Sequence, residues 1–109
     1  MRFDDLKKIF DEFRKTEAEE IPSGIIARTD GGYLALSSTS DGGTLSLFES
    51  KPVAHYDFYS FWAARAVVGR HDASFGISRD VDKCSAITRR TIIAIQSRFE
   101  FLQNHQLQY

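Results

Sequence analysis

The apolar side chains at the start of the chain recur at intervals of three and four residues. They are Phe3, Leu6, Ile9, Phe10 and Phe13. This spacing places them on one stripe of a helix, opposite a charged side. Asp4–Lys8 and Asp11–Lys15 are i,i+4 pairs in the favourable order, which suits a solvent-facing surface. The pattern predicts an amphipathic helix over about residues 3–17, and Pro22-Ser23-Gly24 then ends any helix.

From residue 25 the period changes to two, in segments 25–29, 33–38 and 44–49. Asp30-Gly31-Gly32 and Asp41-Gly42-Gly43 separate these segments. Asp-Gly between alternating stretches is a strong hairpin signal, because glycine reaches positive φ without steric cost. We therefore expect a three-stranded meander. Its leucines share a face that can pack on the first helix, and its other face is small and polar.

The segment 55–68 mixes strand-like aromatic residues with alanines that favour helix. We expect a helix over about residues 57–68, because Asp57 can cap its start and Gly69 stands where a C-terminal glycine belongs. The alternative is a strand that leads into a shorter helix. Residues 74–78 are a candidate short fourth strand.

A final helix is expected from Asp80 or Asp82, as the cap, to about Asn104. Its apolar stripe is Cys84, Ile87, Thr91, Ile95, Phe99 and Leu102. Ile92, Ile93 and Phe101 lie off that stripe. A helix that is apolar on more than one side is deeply buried or has a second surface to cover, and we expect a second surface.

The elements together predict a single α+β domain over residues 1–109. An antiparallel meander of three to four strands packs against an N-terminal and two later helices, in the order α-βββ-α-(β)-α. This order is similar to that of type III secretion chaperones, which are small cytosolic proteins that commonly dimerise. The similarity is one of element order, without a shared motif.

Composition and cysteine content indicate a folded chain in a reducing compartment. At 109 residues, 42% apolar and 27% charged, the chain can bury a core and is not of disordered composition. The single cysteine, Cys84, cannot form an intrachain disulfide. Charged residues interrupt the N-terminus, and no run approaches the roughly 18 apolar residues of a membrane helix. We expect a cytoplasmic protein without membrane contact.

The net charge of −1 is unevenly distributed. Residues 1–57 hold seven Lys/Arg and eleven Asp/Glu, which gives −4, and residues 58–109 hold seven and four, which gives +3. This asymmetry suits either an acidic partner or packing of one half on the other. Nucleic-acid binding is the alternative function; the residues for it are Arg79, Lys83, Arg89, Arg90 and Arg98. The isoelectric point of about 6.3 disfavours a dedicated nucleic-acid binder.

Candidate catalytic residues are sparse. His71, Asp72 and Ser74 supply the side-chain types of a hydrolytic triad, which makes a small hydrolase the second alternative. Adjacent residues do not by themselves form a triad, and the G-x-S-x-G motif is lacking. The three histidines lack metal-ligand spacing, and no phosphate-binding glycine motif occurs, so we expect no metal and no cofactor.

The aromatic cluster and the final helix favour a non-enzymatic protein-binding module. Inhibitors, immunity-type proteins, phage-encoded antagonists and secretion-chaperone-like adaptors belong to this class. Exposed tyrosine, tryptophan and arginine are enriched at interface hot spots. The expected partner is another protein, with a homodimer as one option. The residues expected to bind it are Tyr56, Tyr59, Trp62, Arg65, Arg89, Arg90, Ile93 and Phe101.

Overall fold

A computed structural model describes residues 1–50 and 62–106. These residues contain helix α1 (Phe3–Phe13), strands β1 (Glu19–Ile21), β2 (Gly24–Thr29), β3 (Gly32–Thr39), β4 (Gly42–Phe48), β5 (Ala64–Val68) and β6 (Ala73–Ile77), and helix α2 (Ala86–Gln106). The strands form one antiparallel sheet in chain order, and a 3₁₀ turn at Val81–Lys83 precedes α2. The expected α+β class is therefore confirmed, with more strands than expected.

The meander predicted from the two Asp-Gly-Gly turns is present as β2, β3 and β4. Leu36 pairs with Ile25 on one side and Leu45 on the other, so apolar side chains line up across the strands. Leu6, Ile9 and Phe10 of α1 are fully buried against this face. Burial of each such side chain stabilises the fold by roughly 1.5–3 kcal/mol.

Helix α1 ends at Phe13, four residues before the expected end. Arg14 is already extended, and the Lys15 amide donates to the carbonyl of Arg28 over 2.7 Å. The Thr29 hydroxyl donates to the Phe13 carbonyl over 2.6 Å. The chain after α1 therefore joins the end of β2, and Glu19–Ile21 continues as the edge strand β1. The segment Glu19–Ile21 begins with two charged residues and does not alternate between apolar and polar side chains, so its sequence did not indicate a strand.

The helix expected over residues 57–68 is wrong in its described part. Residues 57–61 lie outside the described residues, and Ala64–Val68 form β5, with Ala66 between Leu45 and Phe75. The alternative of a strand leading into a helix is wrong for the same residues. Pairing on both sides outweighs the helix preference of alanine. The element order behind the similarity to secretion chaperones is thus not the order of the described chain.

Helix α2 begins later than expected, at Ala86, and Ser85 caps it. The Thr88 amide donates to the Ser85 hydroxyl over 3.2 Å, and the Ser85 amide donates to the Glu49 carboxylate over 2.9 Å. The Thr88 and Thr91 hydroxyls donate to the carbonyls of Gly31 and Asp30. The two threonine hydrogen bonds hold the start of α2 against the first Asp-Gly-Gly turn.

The buried stripe of α2 differs from the expected one. It consists of Thr88, Thr91, Ile92, Ile95 and Phe99. Ile92, expected to lie on a second surface, is in the core, whereas Ile87, expected in the core, is 49% exposed. Thr91, Ile95 and Phe99 belong to both stripes, and Thr88 and Ile92 take the place of Ile87 on the buried side.

Candidate functional site

Both helices pack on one side of the sheet, and we call the opposite side the outer face. Antiparallel pairing places one row of side chains across its middle, because directly paired residues point to the same side. The row runs Ile26, Ala35, Ser46, Arg65 and Gly76, from β2 to β6. A single arginine on β5 therefore stands between two small residues, Ser46 and Gly76, one strand in from the β6 edge.

A groove of about 490 Å³ lies on the outer face beside this row. We call it the outer-face groove; the residues that line it are Ile21, Pro22, Ser23, Ala35, Ser37, Ser38, Thr39, Thr44, Ser46, Phe48 and Arg65. Short hydroxyl side chains on β3 and β4 form its floor. The turn between β1 and β2 forms one wall, where the Ser23 and Ser37 hydroxyls are 3.5 Å apart.

Arg65 is the one charged side chain among the described residues that line this groove. Its Nε donates to the Ser46 hydroxyl over 3.0 Å, and its guanidinium carbon lies 4.7 Å from the centre of the Trp62 ring. The side chain is half-buried, and burial lowers the pKa of the guanidinium from its ordinary value. The group stays charged but has lost part of its hydration.

The guanidinium retains capacity to bind an anion. It carries five N–H donors, and one of them is used by Ser46. In the described part of the chain, no carboxylate forms an ion pair with Arg65. Two parallel N–H groups of an arginine match a carboxylate or phosphate bidentately. The arrangement can therefore hold an anion at the end of the groove.

An apolar cluster borders the groove. Ile26, Ala35 and Phe48 are buried, with Tyr33 and Trp62 packed beside them. Tyr33 and Phe48 are direct neighbours on β3 and β4. Sequence reasoning missed Ser46 and Phe48 as site residues. The signal that would have found Ser46 is its pairing with Arg65, which becomes visible only once residues 64–68 are assigned to a strand.

The residues expected to bind a partner do not form one site. Tyr56 and Tyr59 lie outside the described residues. Trp62 and Arg65 come together on the outer face. The other four, Arg89, Arg90, Ile93 and Phe101, are exposed on α2, which packs against the opposite side of the sheet. The expected surface therefore divides into an outer-face part and an α2 part.

The α2 part mixes apolar and charged groups along the helix. Ile93 is 63% and Phe101 is 47% exposed. Phe101 is stacked between Arg98, whose guanidinium carbon is 5.1 Å from the ring centre, and His105, whose ring centre is 3.9 Å away. Neighbours on the same helix thus partly cover its ring. Arg90 lines a separate cavity of about 330 Å³ between α2 and the end of α1.

The residues considered for hydrolysis lie at the β5–β6 turn and on β6. His71, Asp72 and Ser74 are exposed. Among residues 1–50 and 62–106, no hydrogen bond joins their side chains to one another. A nucleophile and its base need such a bond or a close approach to it. The geometry therefore adds no support for catalysis by these residues.

The basic residues considered for nucleic-acid binding are partly engaged within the molecule. Arg98 pairs with Glu12 of α1 at 2.9 Å, and Lys83 pairs with Asp80 at 3.5 Å. Arg79, Arg89 and Arg90 are exposed. These partial engagements leave less positive charge for phosphates than the sequence suggested.

The described residues offer neither a cluster of metal ligands nor a membrane-spanning helix. Among residues 1–50 and 62–106, no group of three or more histidine, cysteine, aspartate or glutamate side chains could hold a metal ion. Nor does either described helix have the length and apolar character needed to cross a bilayer.

Comparison with known proteins assigns the chain to no family. No protein-family model, no curated protein and no solved structure matches it. Function must therefore be inferred from the geometry of the chain itself.

Proposed function

We propose that this chain is a non-enzymatic protein-binding module that holds an extended acidic segment of a partner protein in the outer-face groove. The observation that carries the proposal is Arg65. It is half-buried at the end of a groove, is oriented by Ser46 and Trp62, and has no carboxylate partner in the described chain. Inhibitors, immunity-type proteins and adaptors act through such preformed surfaces.

The position of Arg65 at the outer-face groove costs folding free energy, because its guanidinium is half-buried. A charged group that has lost hydration without gaining a counter-ion destabilises the folded state. An incoming aspartate or glutamate side chain would supply a counter-ion that residues 1–50 and 62–106 do not provide, and would accept two N–H bonds. Stacking on Trp62 holds the guanidinium plane in place before binding, so little conformational entropy is lost on contact.

The shape and polarity of the outer-face groove suit an extended peptide segment. Its volume of about 490 Å³ accommodates a few side chains. The hydroxyls of Ser37, Thr44 and Ser46 can donate to and accept from the backbone of an extended segment. Apolar side chains of the partner would meet Ile21 and Phe48 at the margins. The mixture of one charge, several hydroxyls and apolar walls is the chemistry of a peptide site.

The experiment selects phage-displayed random decapeptides against the whole folded chain. Synthetic versions of the enriched peptides are then titrated, with each acidic residue replaced by its amide in a matched control. Trp62 is the single tryptophan of the chain and stacks on Arg65, so its fluorescence reports occupancy of the groove. We expect acidic peptides to bind and the amide versions to bind at least about tenfold more weakly.

Variants assign the binding to Arg65. Arg65→Ala should abolish the preference for acidic peptides, and Arg65→Lys should restore only part of it because lysine lacks the bidentate geometry. Arg28→Ala is the matched control, since Arg28 also stacks on an aromatic ring, that of Tyr33 at 5.7 Å, but lies outside the groove lining. Equal binding by Arg65→Ala and wild type, or enrichment without carboxylates, contradicts the proposal.

A further inference from the structure

The two edges of the sheet are protected to different degrees. Strand β1 is three residues long and carries Glu19 and Glu20, both exposed. Short edge strands with charged side chains resist pairing with other chains. Strand β6 is five residues long, Ala73–Ile77, and has no charged residue. The β6 edge therefore lacks the protection that the β1 edge has.

The pairing of β5 with β6 determines which backbone groups face the β6 edge. The Gly69 amide donates to Asp72 and the Ser78 amide donates to Ala63, each over 2.9 Å. Hydrogen-bonded pairs alternate along an antiparallel ladder, so every second residue of β6 points its amide and carbonyl outward. These residues are Ala73, Phe75 and Ile77. No described residue forms a hydrogen bond with their outward groups.

We propose that two copies of this chain pair through the β6 edge, antiparallel about a two-fold axis at Phe75. Ala73 of each copy then lies opposite Ile77 of the other, and the outward backbone groups of both strands bond to each other. Ile77, which is 43% exposed, gains a neighbour. The two sheets become one continuous sheet, and the outer-face grooves remain separate. This inference does not depend on the proposed function.

Charges beside β6 favour this register. Arg70 precedes the strand and Asp80 follows it, both exposed, and the two-fold axis at Phe75 brings each toward its opposite in the other copy. A register shifted by two residues in one direction places Asp72 opposite Asp80, which repels. The opposite shift places Arg70 opposite the uncharged Ser78. Of these three registers, only the one centred on Phe75 brings Arg70 toward Asp80, which lies beyond the end of β6 and also pairs with Lys83 of its own copy.

A second copy of this chain is the partner that covers the β6 edge and leaves no further β6 edge unpaired. Pairing of β6 with the β1 edge of another copy would be head-to-tail and would leave one unpaired β1 edge and one unpaired β6 edge at the two ends. It would also place an uncharged strand beside two glutamates. Pairing of β6 with itself uses one surface twice and leaves only the protected β1 edges exposed.

The test measures the native mass of the whole chain by sedimentation over a range of concentrations. Wild type should rise from 12.4 kDa toward twice that mass as concentration increases. Ile77→Pro removes an outward amide without breaking a bond to β5 and should remain at the monomer mass. Ile77→Ala keeps the amide and should dimerise within a few-fold of wild type. A wild-type mass of 12.4 kDa up to millimolar concentration, or equal behaviour of the two variants, overturns the inference.

Charge reversal at exposed positions tests the register without relying on proline. Arg70→Asp and Asp80→Arg should each raise the dissociation constant of the dimer by about fivefold, and the double variant should return it toward the wild-type value. Additive weakening in the double variant overturns the two-fold register. Peptide binding by Arg65 is measured in a separate titration. A negative result in one experiment therefore does not decide the other proposal.

Discussion

At the scale of single residues, Gly31 shows how local chemistry and packing combine. Its φ is +89°, in the left-handed region that favours glycine. A Cβ placed there would lie 2.8 Å from the Thr88 Cα, which belongs to the backbone of α2. The first Asp-Gly-Gly turn is thus more than a hairpin signal, because it is the docking point for the start of α2.

Gly31→Ala should therefore destabilise the fold by more than about 1 kcal/mol, through both backbone strain and displacement of α2. Gly76→Ala is the matched control, since its new Cβ would find only ordinary contacts at 3.9 Å and beyond. Because alanine is favoured over glycine in a strand, that variant should be neutral or slightly more stable. Urea unfolding of both variants checks the difference, and equal midpoints would contradict it.

Glu49 makes stability depend on pH. The backbone amide of Ser85 is the main cause that lowers the pKa of Glu49 below its ordinary value of 4.5. The folded state therefore favours the ionised carboxylate. Its contribution to stability is complete above pH 4.5 and is lost as the pH falls through the lower pKa of the folded state.

Glu49→Gln should consequently reduce the loss of stability between pH 5 and pH 3, measured by urea unfolding at each pH. Glu100→Gln is the control, because Glu100 is exposed on α2 and forms no hydrogen bond with a described residue. That variant should keep the wild-type dependence. Parallel curves for Glu49→Gln and wild type would show that the bond to Ser85 does not form in solution.

At the scale of elements, the start of α2 is capped by Ser85. The Ser85 hydroxyl accepts the Thr88 amide, which satisfies one of the unpaired donors at the helix start. Ser85→Ala should cost about 1 kcal/mol of stability. Ser97→Ala makes the same substitution on the exposed side of α2 and should be neutral or stabilising by up to about 0.5 kcal/mol. Thermal unfolding distinguishes the two, and a reversed order would contradict the assigned cap.

The sequence predicted those elements whose local signals agree with their packing. Alternating leucines and two Asp-Gly-Gly turns indicate β2, β3 and β4, and the apolar stripe of Phe3 to Phe13 indicates α1. Strand β5 was missed because alanines at 64 and 66 favour helix in isolation, and they become strand residues only through pairing with β4 and β6. Strand β1 was missed because its glutamates show no alternation.

The candidate site was less predictable than the fold because it depends on register. Trp62 and Arg65 were identified as binding residues, but on a helix, where they would share a side through their spacing of three. In the structure Trp62 lies just before β5 and stacks on Arg65, and Ser46 on the neighbouring strand β4 is the third member. Local sequence carries little information about which residue of β4 lies opposite Arg65.

At the scale of the whole molecule, the uneven charge of the two halves is partly used internally. Glu12 pairs with Arg98, and Glu49 binds the start of α2, so acidic groups of the first half stabilise the second. The Glu12–Arg98 pair is on the surface and contributes at most about 1 kcal/mol. Arg65 is different, because it is half-buried, lies on the outer face away from these pairs and lines the groove. Its positive charge faces the groove, whereas Arg79, Arg89 and Arg90 are exposed on other surfaces.

The central claim is that a partner's carboxylate binds Arg65 in the outer-face groove. The most direct measurement is the nuclear magnetic resonance signal of the Arg65 Nε–H group, assigned by its loss in Arg65→Lys, during titration with a selected acidic decapeptide. We predict a saturable shift of this signal and of amides in β3 to β5, and with the matched amide peptide the same shift only at concentrations at least about tenfold higher. Shifts confined to Ile93, Phe101 and their neighbours on α2, with the Arg65 signal unchanged, would contradict the claim.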